Sequence, residues 1–567
     1  MAQMLSLTSK GRKALLSIFL CCMLVPLTSY AGTNTDRAWH YDNTTYMGYY
    51  SGYTDRQSGA ISTRNVFIGP YTGRNHTDSN DAVYIGYQAG YSSTNGDQNS
   101  FVGSYSGYST TTGEYNTFYG HKTGYSNTTA SHNTFLGRAS GYKNTTASYN
   151  TFVGSNSGYD NTTGEHNTFV GYGTGSNNTT ASYNVFQGFR SGNQNTTGSL
   201  NSFTGYYCGY SNTSGDSNTF SGAYSGYSNT SGEKNVFSGQ GSGYSNTTGK
   251  KNVFSGYNSG YTNTTGYSNV FSGYNSGYTN ITGFGNVFVG YEAGYSTTGG
   301  QYNTFVGYKA GYNSAHSQYN SFFGREAGYE NTTGKGNSFF GTYAGKDNTT
   351  GDYNIAIGFY SGGNLTTGRR NTILGYYAGN QLTTGENNVF IGNQAGFYET
   401  GSDKLYISNS STTTPLIYGD FSASTVTING TLTQTSDKRL KKDIHTIKDP
   451  LKTVMKLRGV TYNWKKVKGK VFPKGRQIGL VAQEVAAVVP ELVVTNSNGY
   501  KAVSYANLTA VLIESVKKQQ AIIKTQNQEL ADTKKQVSLL KEQLQQVNQL
   551  AKEMQELKAQ LNAKLQR

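Results

Sequence analysis

A mainly β architecture is predicted for this chain: a β-solenoid or β-roll stem, then a small α+β domain, then a C-terminal coiled coil. Three observations predict it. Glycine and tyrosine dominate the composition, with 73 Gly and 49 Tyr against 6 Pro in 567 residues. An uninterrupted 17-residue repeat fills the middle of the chain, and at Ser436 the sequence turns lysine-rich and non-repetitive before ending in apolar heptads. Only 14% of residues are charged, which together with the glycine content does not describe ordinary globular domains.

Residues 1–31 read as a secretory signal. Lys10, Arg12 and Lys13 precede the apolar run from Ala14 to Leu27, and Ser29-Tyr30-Ala31 forms a small-x-small cleavage site that leaves Gly32 as the mature N-terminus. Export to the cell surface or the extracellular space follows as the expectation, by a bacterial type of secretion. No other segment could span a bilayer as a helix. Cys21 and Cys22 leave with the signal, so Cys208 is alone in the mature chain and no intrachain disulfide is expected.

The stem covers residues 32–397, with strict repeats over 65–397. Anchors recur every 17 residues from Phe67 and Tyr84 through Phe101 and Phe152 to Ala356, Ile373 and Phe390, after a looser copy at Asn43 to Gly48. Each unit follows N-[T/S/V]-F-x-G-x-x-[S/A]-G-Y-x-N-T-T-G-x-x, as in Asn150 to His166. Glycine occupies the second and sixth positions after the anchor in all twenty copies, where the backbone needs positive φ or passes close to a neighbouring coil. Twenty copies without an insertion imply that equivalent residues stack, since one extra residue would break the ladder between coils. At ~4.8 Å per strand, twenty coils make a rod of about 95 Å.

The short strand N-T-F-V-G carries apolar residues on both faces and is expected to be buried on both. Thr151 goes with Val153, whereas Val236, Val253 and Val270 go with Ser238, Ser255 and Ser272, so one apolar side chain per coil is usually kept on the second face. A single roll has one interior, and the second face reads as an oligomer seam. Asn-Thr-Thr-Gly and Ser-Gly-Tyr are turn chemistry. The Asn-Thr-Thr triplets also match a glycosylation acceptor, but their repetition points to a structural ladder. Cys208 stands where other copies have Ser or Ala and reads as a small buried side chain. The N-T-F-x-G and S/A-G elements resemble the heads of trimeric autotransporter adhesins and the stems of phage tail fibres over about residues 43–400. Here the unit is longer than the usual adhesin-head repeat, and no C-terminal membrane β-barrel follows. Residues 398–435 lose the period but keep strand character, and read as a β neck that caps the last coil.

From Ser436 the run Ser436-Asp437-Lys438-Arg439-Leu440-Lys441 is followed by Val460 to Trp464, Ile478 to Val485, Val489 to Val493 and Tyr505 to Glu514. Together these motifs resemble the intramolecular chaperone auto-processing domain of endosialidase tailspikes. The resemblance implies a domain, residues 436–512, that trimerises a β-fibre and then releases itself through a Ser/Lys dyad in the pattern S-D-x-R-x-K. On that pattern Ser436 matches the nucleophile and Lys441 the base, cleavage falls between Thr435 and Ser436, and Asp437 and Arg439 match as positioning residues. Residues 513–567 carry one apolar series at Val516, Ile523, Leu530, Val537, Leu544 and Ala551, and another at Leu540, Val547, Met554 and Leu561. This heptad spacing predicts a coiled coil, trimeric if the resemblance holds. Polar Gln519, Gln526 and Thr533 in the second series would select register.

The net charge of +15 comes from residues 436–567, with 25 Lys+Arg against 11 Asp+Glu; residues 32–435 hold 18 against 20. Confined to one end and without an aromatic-plus-basic recognition module, the charge reads as a solvated face and not as a nucleic-acid site. No metal or cofactor motif is present. The sequence therefore reads as an exported homotrimeric fibre or adhesin-like surface protein whose partner is a cell-surface glycan or another surface receptor. Its only chemistry is one self-cleavage in cis. Two alternatives compete. A tailspike-like glycan-degrading enzyme would need two placed carboxylates, whereas Glu114, Glu165 and Asp216 lie in variable turns. A Thr-rich ladder could instead bind ice or another ordered surface. The tyrosine row Tyr257, Tyr274, Tyr291 and Tyr308 could stack on sugars, although repeat packing also accounts for it.

Overall fold

The computed structural model describes residues 39–41, 43–58, 62–468 and 470–566. The expected signal segment lies outside them. The chain divides into two compact units, one ending at Pro415 and one beginning at Leu416.

The first unit is a β-solenoid. Strand β1 (Trp39–Tyr41) pairs antiparallel with β2 (Thr44–Met47), and a short helix α1 (Tyr53–Ser58) fills the insertion that follows. Twenty three-residue strands come next, from β3 (Val66–Ile68) to β22 (Val389–Ile391), one per 17-residue coil. Each is parallel to the one before and in register with it, so Phe152 lies opposite Phe135 and Phe169. The ladder extends one strand beyond the strict repeat: β23 (Lys404–Ile407) sets Tyr406 opposite Phe390 after a 16-residue step. The first part of the expected neck is thus a last coil of the solenoid.

One side chain per strand drives the fold. The anchors are fully buried, and successive rings stack face to face, as in Phe135–Phe152 at 4.8 Å and 4°. Burying each Phe contributes about 1.5–3 kcal/mol, and each stacked pair about 0.5–1.5 kcal/mol more. Much of the remaining interior is polar, and most of it is satisfied in rows. Asn161 Nδ2 donates to Asn144 Oδ1 of the previous coil (2.8 Å) and to Gly164 O of its own (3.0 Å), and Asn178 repeats the bond to Asn161 (2.7 Å). In a second row the Asn150 N–H donates to Asn133 Oδ1 (2.9 Å) while Asn150 Nδ2 donates to Gly164 O (2.9 Å). Outside these, Thr162 Oγ1 donates to Thr179 O (3.0 Å), and Ser157 Oγ donates to Phe169 O (3.1 Å). From Asn127 to Asn348 the Asn of each Asn-Thr-Thr triplet is buried, which supports the ladder reading over a glycan acceptor.

The two invariant glycines serve different constraints. Gly154 has φ +132°, and a Cβ there would stand 2.3 Å from Gly171 O of the next coil; Gly158 has φ +56°, and its Cβ would stand 2.5 Å from the Phe152 ring. Two further positions per coil are left-handed and in most coils are not glycine, for example Asn156 and His166, both at φ 57°. Each costs about 1–2 kcal/mol locally, offset by hydrogen bonds to the coil before, Asn156 N–H to Arg138 O (2.9 Å) and His166 N–H to Ser148 O (3.3 Å). Cys208 is buried and free in the Ser/Ala slot, as read from the sequence.

Two-sided burial of the strand does not occur within one protomer. Only the central residue is buried, while flanking positions are half-buried or exposed, as with Val236 at 43% and Val253 at 41%. The coil has a single interior, and the strand's outer face looks away from it.

In the second unit β24 (Ile417–Asp420) and β25 (Thr425–Ile428) form an antiparallel hairpin, followed by an extended, exposed stretch to Ser436. Helix α2 (Pro450–Met455), the antiparallel pair β26 (Gly459–Tyr462) and β27 (Gln477–Leu480), helix α3 (Ala482–Val488), and the antiparallel pair β28 (Val493–Thr495) and β29 (Lys501–Val503) build the α+β part. Its small core holds Val485, Leu492 and Val511, with Ile447, Val454, Leu480 and Leu508 against them. Helix α4 (Tyr505–Leu565) runs unbroken for 61 residues. The boundary expected at residue 513 therefore falls inside a helix, because Leu508 and Val511 in its first turns complete the core. Beyond them the heptad residues are exposed, Val516 at 62% and Leu544 at 59% among them. No helix among the described residues is long and apolar enough to cross a membrane.

Candidate functional site

The expected site lies at the start of the second unit's lysine-rich sequence. Asp437 caps a 3-10 turn, Lys438–Leu440, by accepting from the Arg439 N–H (2.8 Å), and Lys441 N–H closes the turn on Lys438 O (3.1 Å). The turn folds five residues of chain back on themselves, so that Lys441 Nζ donates to Ser436 Oγ at 2.6 Å. The Arg439 guanidinium grips both oxygens of Asp437, with Nη2 2.7 Å from Oδ2. That contact holds the Asp437 carboxyl below its usual range and raises Arg439.

Four of the five residues singled out in the sequence thus form two pairs, Ser436 with Lys441 and Asp437 with Arg439, and the second shapes the turn that produces the first. Thr435, the residue before the expected cut, lies outside any helix or strand, and every member of the group is exposed. Chemically the arrangement can deliver one proton transfer between a hydroxyl and an amine beside a peptide bond. A base must be neutral to accept that proton, which desolvation and nearby positive charge favour.

The stem offers less chemistry. Glu114, Glu165 and Asp216 occupy one row three coils apart, about 14 Å at the spacing of paired strands, against the roughly 5–9.5 Å that glycosidase carboxylates keep. Asp216, with Glu233 one coil on, sits on the exposed turn and accepts from the Ser199 N–H (2.7 Å). The row Tyr257, Tyr274, Tyr291 and Tyr308 is stacked at 5.1–5.3 Å with planes within 10°. The inner rings therefore turn both faces to their neighbours, and only edges and hydroxyls meet solvent. Among the described residues no cluster of His, Cys, Asp and Glu could hold a metal ion.

Sequence reasoning gave no role to Tyr505 or to Phe472. Tyr505 Oη accepts from the Leu480 N–H (2.8 Å), tying β27 to the first turn of α4. Phe472 stacks on Trp464 at 4.3 Å and 6° across the lysine-rich loop between β26 and β27; the signal available was an aromatic at each end of a basic run.

An in-register β-solenoid joined to a small α/β unit that opens on a Ser/Lys contact has the build of a tail-fibre-like protein. Residues 436–494 match the family model for the chaperone of endosialidase, and the match begins at Ser436 itself. The C-terminal unit thus carries that chaperone domain, placed after a repeat stem. No curated protein and no solved structure matches the chain.

Proposed function

We propose that this chain is an exported, homotrimeric fibre or adhesin-like surface protein whose C-terminal domain assembles the stem and then releases itself by cutting before Ser436. The observation that carries the reading is the 2.6 Å contact between Lys441 Nζ and Ser436 Oγ at the first residue of the chaperone of endosialidase match. In the proposed step the neutral Lys441 amine takes the hydroxyl proton as Ser436 Oγ adds to the Thr435 carbonyl carbon. The Thr435–Ser436 C–N bond breaks, the Ser436 nitrogen takes up a proton, and water opens the resulting ester.

Exposure of the pair in one protomer supports a link between cleavage and assembly, since burial at a subunit junction is what would favour a neutral lysine. Two surfaces support trimerisation. The apolar heptads of α4 are exposed along a helix that has no core of its own beyond its first turns, and the outer strand face of the stem repeats an apolar residue in nearly every coil. The first becomes a coiled coil and the second a seam between stems. Cleavage after assembly then makes the fibre irreversible, because the domain that mediates the reverse path has left. A receptor for the stem, a cell-surface glycan among the candidates, would engage ring edges and hydroxyls, since the stacked ring faces are taken.

The test is gel and intact-mass analysis of the exported protein. Wild type gives a break between Thr435 and Ser436 and a released fragment of residues 436–567, while Ser436→Ala and Lys441→Ala stay full length and still form trimers. Unchanged cleavage in Ser436→Ala refutes the assignment, and an intact wild-type trimer means that the domain acts as a permanent cap.

A further inference from the structure

We infer that the loop between β26 and β27 is a docking surface for an anionic lipid bilayer. Between Tyr462 and Gln477 the chain carries Lys465, Lys466, Lys468, Lys470, Lys474 and Arg476 and no Asp or Glu. The surrounding field has the same sign, with 15 Lys+Arg against 5 Asp+Glu over residues 436–512. Charge alone would suit any polyanion.

What selects a bilayer is the apolar surface set among the lysines. Val467 and Val471 are 37% and 61% exposed, and Lys470 N–H donates to Val467 O (3.1 Å). Trp464 keeps 45% of its surface in water although it stacks on Phe472, and Tyr462 meets its edge at 5.3 Å. Exposed aliphatics, a half-exposed indole and lysines interspersed in one loop offer groups for acyl chains, the interfacial zone and anionic headgroups. Valines form no hydrogen bond to phosphates and add nothing to the backbone electrostatics that dominate nucleic-acid affinity.

The loop is also held in shape, which limits the ordering that binding would require. Ser424 Oγ donates to Val471 O (2.9 Å), Arg476 Nη2 donates to Thr461 Oγ1 (3.0 Å), and the Lys470 ammonium sits 3.3 Å over the Tyr500 ring. In function this surface would hold the chain at a membrane as long as the domain stays attached.

The experiment mixes the full-length Ser436→Ala chain, which retains the domain whether or not wild type cuts itself, with vesicles of phosphatidylcholine alone or with added phosphatidylglycerol. Sedimentation reads binding, and a Trp39→Phe background leaves Trp464 as the reporting indole of the two tryptophans. We expect binding and a blue shift of Trp464 emission only with phosphatidylglycerol, weakened by salt as the Debye length shrinks. At about fivefold per basic residue near an anionic surface, Lys466→Glu with Lys468→Glu lowers partitioning by about 25-fold or more. Val467→Ser with Val471→Ser removes the blue shift and weakens binding at unchanged charge. Equal sedimentation with both vesicles, or none with either, overturns the inference. Vesicle binding that survives the valine changes, or duplex DNA bound as tightly as the anionic vesicles, reduces the loop to a general polyanion patch and overturns it as well.

Discussion

The buried asparagine row of the stem is interrupted, and repairing it should stabilise the fibre. From Asn127 to Asn280 every coil donates Asn Nδ2 to the Asn Oδ1 before it, ending with Asn280 Nδ2 on Asn263 Oδ1 at 2.7 Å. The next two coils place Thr297 and Ser314 there, too short to reach, and the row resumes with Asn348 Nδ2 on Asn331 Oδ1 (2.7 Å). Asn280 Oδ1, Thr297 Oγ1 and Ser314 Oγ are left buried without a hydrogen-bond partner among the described residues. A buried orphan costs about 1–3 kcal/mol, so relieving these three by Thr297→Asn with Ser314→Asn should gain up to about 3–9 kcal/mol once the row is continuous. The converse is Asn195→Thr, which takes the donor from Asn178 Oδ1 (2.9 Å) and the acceptor from Asn212 Nδ2 (2.7 Å) and should cost a similar amount. Because each coil touches only its neighbours, the change is local. Amide hydrogen exchange on the full-length protein should slow around residues 280–331 in the repaired chain and quicken around residues 178–212 in the broken one, with urea midpoints moving the same way. A repaired chain with an unchanged or lower midpoint, or a silent Asn195→Thr, would refute the view that this row holds the coils together.

Gly154→Ala should prevent coils on either side of it from stacking, since its Cβ would stand 2.3 Å from a backbone oxygen that cannot yield at φ +132°; loss of soluble stem on expression checks it. His76 stands where most later coils have Asn, is buried, and has its imidazole pKa pushed below its ordinary value of about 6.5 by burial, with Asp55, Asp78 and Asp97 opposing. The unfolded chain therefore binds the proton first, so stability is full above about pH 6.5 and falls as the pH drops from there toward the lower folded value. Proteolysis near residue 76 should quicken in mild acid and cease to do so in His76→Asn, and an acid response unchanged in that variant would remove His76 as the cause. Burial pushes the Cys208 thiol upward, so native protein should resist a bulky maleimide and Cys208→Ala should alter the urea midpoint little; rapid labelling would contradict this.

The repeat period, the stacking of equivalent residues and the start of the chaperone-like sequence at Ser436 were legible in the sequence, whereas the last coil at Lys404–Ile407 was not. A stack makes the same contact at every turn, so each requirement is written some twenty times, and Gly154, Gly158 and Phe152 stand for whole columns. The five residues around Ser436 were legible for a different reason, because a short motif places all of them within seven positions. What the sequence left open were the quantities set between coils. Asn161 reads as a turn residue and lies inside, since only the neighbouring coil supplies its partners, Asn144 Oδ1 and Asn178 Nδ2. Asn156 and His166 adopt φ 57° with no glycine to announce it, because hydrogen bonds to the coil before set the handedness of those turns against local preference. The outer face of Val236 and Val253 carries the same apolar letters as a buried face, and only a closed coil decides that it points outward. Likewise Tyr505 opens α4 eight residues before the expected boundary at residue 513, because its hydroxyl and the nearby Leu508 and Val511 complete a small core that no periodicity encodes.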